Sequence, residues 1–141
     1  MKDKGKEWET RWICSPRFKN IKPLQLLHRE WDLSFQSPDH REDLKNSHTM
    51  FRKSFQLSGK VKKAVLNISA DDHYRLYVNG VYVTQGPANS YAFCYYYNQV
   101  DITEYLKTGR NIIAVHVYYQ GLVNRAYNSG DYRQGMIAEL W

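Results

Sequence analysis

From Phe51 onwards apolar side chains return at every second position, and that period of two commits most of the chain to β-strands. Phe51, Phe55 and Leu57 alternate with Arg52, Ser54 and Gln56, and Ala64, Leu66, Ile68 and Ala70 alternate with Val65, Asn67 and Ser69. Each set reads as a half-buried strand. Tyr74, Leu76 and Val78 alternate with Arg75 and Tyr77, then run into Asn79-Gly80, a pair that tolerates the positive φ of a type I′ turn. Val81-Tyr82-Val83 is the returning strand of that hairpin. Gly86-Pro87 marks a turn, and Tyr91–Val100 is another β-prone stretch. Residues 101–106 read as one helical turn, capped by Asp101 and ended by Gly109. Asn111–Tyr119 is apolar on both faces, as a central strand should be, and Met136–Trp141 is the last strand. About eight strands with almost no helix predict an all-β fold, an antiparallel β-sandwich.

The first fifty residues lack this regularity. Trp8, Trp12 and Ile13 could start a strand and residues 24–28 could form another, with Pro16, Pro23 and Pro38 interrupting. We therefore expect one domain made of an irregular wrapping segment (1–50) and a sandwich core (51–141). So long a structureless segment is uncommon in a self-standing domain and suggests packing against something further.

A chain of 141 residues with 43% apolar and 24% charged residues has the make-up of a globular domain. No run approaches the roughly 18 apolar residues of a membrane-spanning helix, so no membrane partner is expected. The charged opening Met1-Lys2-Asp3-Lys4-Gly5-Lys6-Glu7 leads into no apolar stretch, so no signal peptide is read. A cytoplasmic location follows, with secretion open if the chain is a piece of a longer precursor. The net charge of +6 divides unevenly: residues 1–63 hold 15 Lys and Arg against 8 Asp and Glu, residues 64–141 hold 5 against 6. Nucleic-acid binders interleave basic and aromatic residues on one face, whereas here the aromatic-rich half is the neutral one. Nucleic acid is not an expected partner. Cys14 and Cys94 have no metal-ligand spacing and apolar or aromatic neighbours, and read as buried, reduced thiols.

Several segments together carry a resemblance. Phe51-Arg52-Lys53-x-Phe55-x-Leu57, Ala70-Asp71-Asp72-x-Tyr74-x-Leu76-Tyr77-Val78-Asn79-Gly80, Gly86-Pro87 and Val100-Asp101-Ile102-Thr103-x-x-Leu106-x-x-Gly109-x-Asn111 occur in that order. Over roughly residues 8–141 the chain resembles the N-terminal β-sandwich domain of bacterial α-L-rhamnosidases, a galactose-binding-like jelly roll. The Leu-Tyr-Val-Asn-Gly and Asp-Ile-Thr pieces also recur in sugar-binding domains of β-galactosidases and β-glucuronidases. The resemblance implies a complete enzyme several times longer, with hydrolysis in a separate (α/α)6 barrel whose carboxylates have no counterpart here. The chain stops at Ala138-Glu139-Leu140-Trp141, inside a strand with an unpaired edge, which fits a fragment of such a glycoside hydrolase.

No catalytic residue is assigned. Glycoside hydrolysis needs two carboxyl groups flanking the bond, and the side chains of adjacent Asp71 and Asp72 would point to opposite faces of a strand. They suit a polar strand entrance or a share in a calcium site, calcium being the one cofactor the resemblance leaves open. The five histidines lack ligand spacing, and His116, between apolar neighbours, reads as a hydrogen-bonded core or interface residue. No nucleophile elbow or phosphate loop occurs. Asn67-Ile68-Ser69 is a chance glycosylation sequon inside a strand. The richest feature is aromatic: 12 tyrosines, with Tyr91, Phe93, Tyr95, Tyr96 and Tyr97 crowded together. Such rings either pack a core or an interdomain contact, or stack on the C–H face of a pyranose. Asn124, Arg125, Tyr127 and Asp131 in the loop 121–135 could add hydrogen bonds to sugar hydroxyls, or dock a neighbouring domain. The expected role is a non-catalytic accessory domain, binding a rhamnose-containing or other glycan or supporting the catalytic domain of the same polypeptide. The alternative is a purely structural interdomain module with no ligand.

Overall fold

The computed structural model describes residues 5–22, 41–90, 94–121 and 132–141. Within them the chain forms seven strands: β1 (Ser47–Leu57), β2 (Val65–Asp71), β3 (His73–Val78), β4 (Val81–Gly86), β5 (Asn98–Asp101), β6 (Gly109–Tyr119) and β7 (Gly135–Leu140). They build two antiparallel sheets, ordered β1-β6-β3-β4 and β5-β2-β7. The predicted β-sandwich is therefore present, with seven strands among the described residues where about eight were expected. No helix among those residues is long and apolar enough to cross a membrane.

The core lies between the sheets. Leu66, Ile68 and Ala70 of β2 meet Tyr74, Leu76 and Val78 of β3 and Val115 and Val117 of β6, all buried. These are the inward sets of the period-two pattern, each full burial of a Leu, Ile or Val side chain contributing about 1.5–3 kcal/mol. The hairpin turns where expected: Asn79 and Gly80 have φ of 52° and 86°. The Asn79 amide also ties the turn to β6, donating to Asn111 Oδ1 at 2.9 Å and accepting from Ile112 N at 2.9 Å. β6 is central, flanked by β1 and β3, as its two apolar faces foretold.

Several local expectations need correction. β1 begins at Ser47, so a boundary at residue 50 cuts a strand. The pattern was hidden because its first inward position is a serine, buried with its hydroxyl donating to Leu44 O at 2.6 Å. Of the stretch Tyr91–Val100, the described part becomes strand only from Asn98. Before it, the Tyr96 carbonyl accepts from Ser69 Oγ at 2.6 Å, so this segment lies over β2 rather than extending the ladder. The helical turn is a 3-10 turn, Thr103–Tyr105, with Asp101 Oδ1 accepting from Thr103 N at 2.9 Å. It ends at Leu106, and Gly109, at φ 89°, instead opens β6. The Trp141 backbone is paired, exchanging hydrogen bonds with Val65 at 2.9 and 3.0 Å. Cys14 and Cys94 are free and exposed, because the aromatic segments containing them lie on the outside of the sandwich. The strand expected at 24–28, and His28 and His40, lie outside the described residues.

β2 is not half-buried: six of its seven residues are buried, on both faces. Its outer face is covered by the segment around Tyr96, and the N-terminal segment lies as a strap on the Tyr95 and Tyr97 rings and along β7. Ile13 pairs with Met136 through two 2.9 Å backbone hydrogen bonds. The buried Glu139 carboxylate accepts from the backbone of Glu9 and Thr10 and forms a 2.6 Å ion pair with Lys6. Trp8 packs edge-on against Tyr97 and Trp12 tilts over Tyr95, with ring centroids 5.6 and 5.1 Å apart. At the other end of the strap, Phe18 joins Leu44, Tyr119 and Tyr132 in a second small core.

Candidate functional site

Outward-facing residues of the four-stranded sheet form an open concave feature. One cross-strand row runs Met50–His116–Arg75–Gln85, and the next runs His48–Tyr118–His73. Directly opposed residues on one sheet face have Cβ atoms about 4.5–5.5 Å apart, so the rows form a continuous polar and aromatic floor. Gly86, Pro87, Ala88 and Asn98 close one side, giving an open groove of about 600 Å³. That volume lies within the range of small-molecule sites.

The floor is internally bonded. His48 Nδ1 and His116 Nε2 are 2.9 Å apart, the His48 ring stacks on Tyr118 at 5.0 Å, and Tyr118 Oη donates to Asn46 Oδ1 at 2.7 Å. On the opposite wall, Tyr74 Oη donates to Asn98 Oδ1 at 2.8 Å, linking core to groove. Burial pushes the Tyr74 hydroxyl pKa far above its ordinary value. A Cβ on Gly86 would collide with Asn98 Oδ1, so any larger residue there would displace that side chain and disturb its bond to Tyr74. His116 is held below its ordinary pKa by partial burial, then by the neighbouring His48 and Arg75. It is thus a half-buried groove residue, hydrogen-bonded as expected but facing outward rather than into the core. No Asp or Glu is among the groove-lining residues.

The residues singled out from sequence are distributed differently. Tyr91, Asn124, Arg125, Tyr127 and Asp131 lie outside the described residues. Tyr95 and Tyr97 carry Trp12 and Trp8 on their rings, and Tyr95 Oη donates to Asp71 Oδ2 at 2.6 Å. Tyr96 is 57% exposed. A second cavity of about 280 Å³ brings Tyr95 and Asp71 together with Trp12, Cys14 and Tyr132. Asp71 and Asp72 are buried, and Asp72 Oδ2 accepts from Gln120 N at 2.9 Å. Among the described residues no three His, Cys, Asp or Glu side chains cluster so as to hold a metal ion. The structure thus brings Asp71 to Tyr95, and Tyr95, Tyr96 and Tyr97 are not among the residues lining the large groove.

The groove residues His48, His73, Arg75 and Tyr118 were missed. Their signal is their outward position in the period-two pattern, but that pattern does not say which outward residues of distant strands become neighbours.

Comparison with known proteins gives a consistent family. The profile of the α-L-rhamnosidase N-terminal domain matches residues 59–139. Among solved structures, an α-L-rhamnosidase from Dictyoglumus thermophilum is 27% identical over 66% of this chain and 11% of its own, with a TM-score of 0.52. One from Aspergillus terreus is 23% identical over 74% of this chain and 13% of its own, with a TM-score of 0.53. One from Streptomyces avermitilis, complexed with L-rhamnose, is 22% identical over 68% and 9%, with a TM-score of 0.47. This chain therefore spans only about a tenth of the length of those enzymes. A search of curated proteins finds no match. With the profile match covering more than half of the chain, the protein belongs to the α-L-rhamnosidase N-terminal domain family.

Proposed function

We propose that this domain is a non-catalytic accessory module of an α-L-rhamnosidase-type glycoside hydrolase, and that it holds carbohydrate in the groove on the open face of the four-stranded sheet. The supporting observation is the groove itself: a floor of His48, Tyr118, His116 and Arg75 beneath open space of about 600 Å³. Imidazole, phenol and guanidinium groups offer the mixture of donors, acceptors and flat ring surfaces that a polyol on a ring requires. Hydrolysis is assigned elsewhere in the enzyme, because no pair of carboxylates lines this groove. Titration of the isotopically labelled chain with L-rhamnose, D-galactose and D-glucuronate tests the reading by amide resonances. Saturable shifts concentrated at His48, His73–Arg75, Gln85–Ala88 and His116–Tyr118 are expected. If millimolar concentrations of every sugar leave those resonances unmoved, the reading fails.

A second reading, support of the catalytic domain by packing, has its own observation. Trp12, Tyr96, Leu140 and Trp141 are 44%, 57%, 39% and 60% exposed, all on the three-stranded sheet or the segments covering it. Apolar surface of this kind marks interaction sites when contiguous. The isolated chain should then self-associate in sedimentation velocity as concentration rises, and Trp141→Ser should reduce that association. A strict monomer at high concentration would count against this reading.

A further inference from the structure

We infer that the groove takes an acidic saccharide, a pyranose ring bearing a carboxylate, with the Arg75 guanidinium as the partner of that carboxylate. This rests on the proposal that the groove is a carbohydrate site and narrows it to a chemical class. Arg75 projects from the middle of the four-residue row, with His116 on one side and Gln85 on the other. It is exposed and has no ion-pair partner among the described residues, in a groove lined by three histidines and no acid. A guanidinium presents a planar fork of donors that matches a carboxylate in bidentate fashion. Its neighbours complete such a site: the Gln85 amide can donate to the same oxygens or to a ring hydroxyl. The Asn98 amide nitrogen, whose oxygen is occupied by Tyr74, faces no other partner among the described residues. A neutral ring laid over Arg75 returns hydroxyl hydrogen bonds but no countercharge, a weaker compensation for desolvating the cation than a carboxylate gives. The dimensions agree. Four strands spaced about 4.8 Å apart give a floor about 14 Å across, room for one or two pyranose rings. His116 is held below its ordinary pKa first by burial and then by His48 and Arg75, and a bound carboxylate would offset the contribution of those two neighbours.

The experiment compares sugars that differ only at the carboxyl carbon. The 141-residue chain is titrated with D-galacturonate against D-galactose, and with D-glucuronate against D-glucose, by NMR shifts and calorimetry, with sodium sulfate as an ion control. Each acid should bind about tenfold or more tighter than its neutral counterpart, the yield of one charge-assisted bidentate contact. Arg75→Met should abolish that preference while the thermal midpoint stays unchanged, since the side chain is exposed. Equal binding of acid and neutral sugars overturns this inference and leaves the carbohydrate reading standing. Sulfate binding as tightly as the uronates overturns it too, because the site would then recognise charge without the ring. Absence of binding by any sugar overturns both.

Discussion

Asn111 shows how much of this fold rests on single polar side chains. It is fully buried, and its amide uses every valence: Oδ1 accepts from Lys107 N at 3.0 Å and Asn79 Nδ2 at 2.9 Å, while Nδ2 donates to the carbonyls of Lys107 and Gly109. Asn111→Ala orphans several of these groups, and chemical denaturation should show a loss of about 3 kcal/mol. His116 contributes in the opposite electrostatic sense. Its folded pKa lies below the ordinary 6.5, so the unfolded chain binds the extra proton first. Its contribution is complete above pH 6.5 and is lost as pH falls through the lowered folded value. Imidazole proton shifts should place its midpoint below 6.5, moving upward when galacturonate is bound. A midpoint at or above 6.5 in the free protein would contradict the burial and the His48 and Arg75 contacts. The bond from Thr103 N to Asp101 Oδ1 was within reach of the sequence because it spans two residues, although the residue at the cap position of the 3-10 turn is Ile102, whose side chain makes no capping bond. The partners of His116 were not, because they arrive from β1 and β3.

At the level of elements, the strap is the part whose removal should be most informative. Its hold on the sheet has three named parts: the Ile13–Met136 bridge, the Glu139 carboxylate and the two Trp–Tyr contacts. Lys6, followed by the backbone N–H groups of Glu9 and Thr10, keeps the Glu139 carboxyl below its ordinary pKa of 4.5. The attachment is therefore at full strength above that value and weakens as pH falls through the lowered one. Acidification should red-shift the fluorescence of Trp8 and Trp12, and Glu139→Gln should show a weakened strap already at neutral pH. Gly135 approaches the Ile13 carbonyl so closely that an added Cβ would lie 2.5 Å from it. Gly135→Ala should therefore displace the strap and accelerate hydrogen exchange at Ser69 and Ile137. Unchanged exchange would show that the strap adds nothing to the shielding of β2 and β7. The hairpin β3–β4 was readable from Asn79-Gly80 because a two-residue turn specifies its own geometry. The double burial of β2 was not, since its alternation of Leu66, Asn67, Ile68 and Ser69 is that of a strand with one wet face. What dries the other face is the segment around Tyr96, 27 residues downstream of Ser69, with the strap from far upstream lying on its Tyr95 and Tyr97 rings.

For the molecule as a whole, the inter-sheet core should behave as one cooperative unit. Leu76, fully buried between the sheets, is a fair probe: Leu76→Ala should cost about 3 kcal/mol, measured as a lowered denaturant midpoint with an unchanged slope. A changed slope would contradict two-state unfolding of the core with an unaltered denatured state. The same core explains why the family and the two-sheet architecture could be read from the chain itself. Period two, an Asn-Gly turn and a strand apolar on both faces are local statements, because side-chain direction alternates with backbone geometry alone. They determined that the sandwich core would be built from strands after Phe51, which side chains of β2, β3 and β6 would face inward, and where the β3–β4 hairpin would reverse. Which strands become neighbours, and in what register, is set by packing between segments far apart in sequence. Only that packing could bring His48, Arg75 and His116 from three strands into one groove, seat Trp8 and Trp12 on Tyr97 and Tyr95, and turn a solvent-facing alternation in β2 into a buried one.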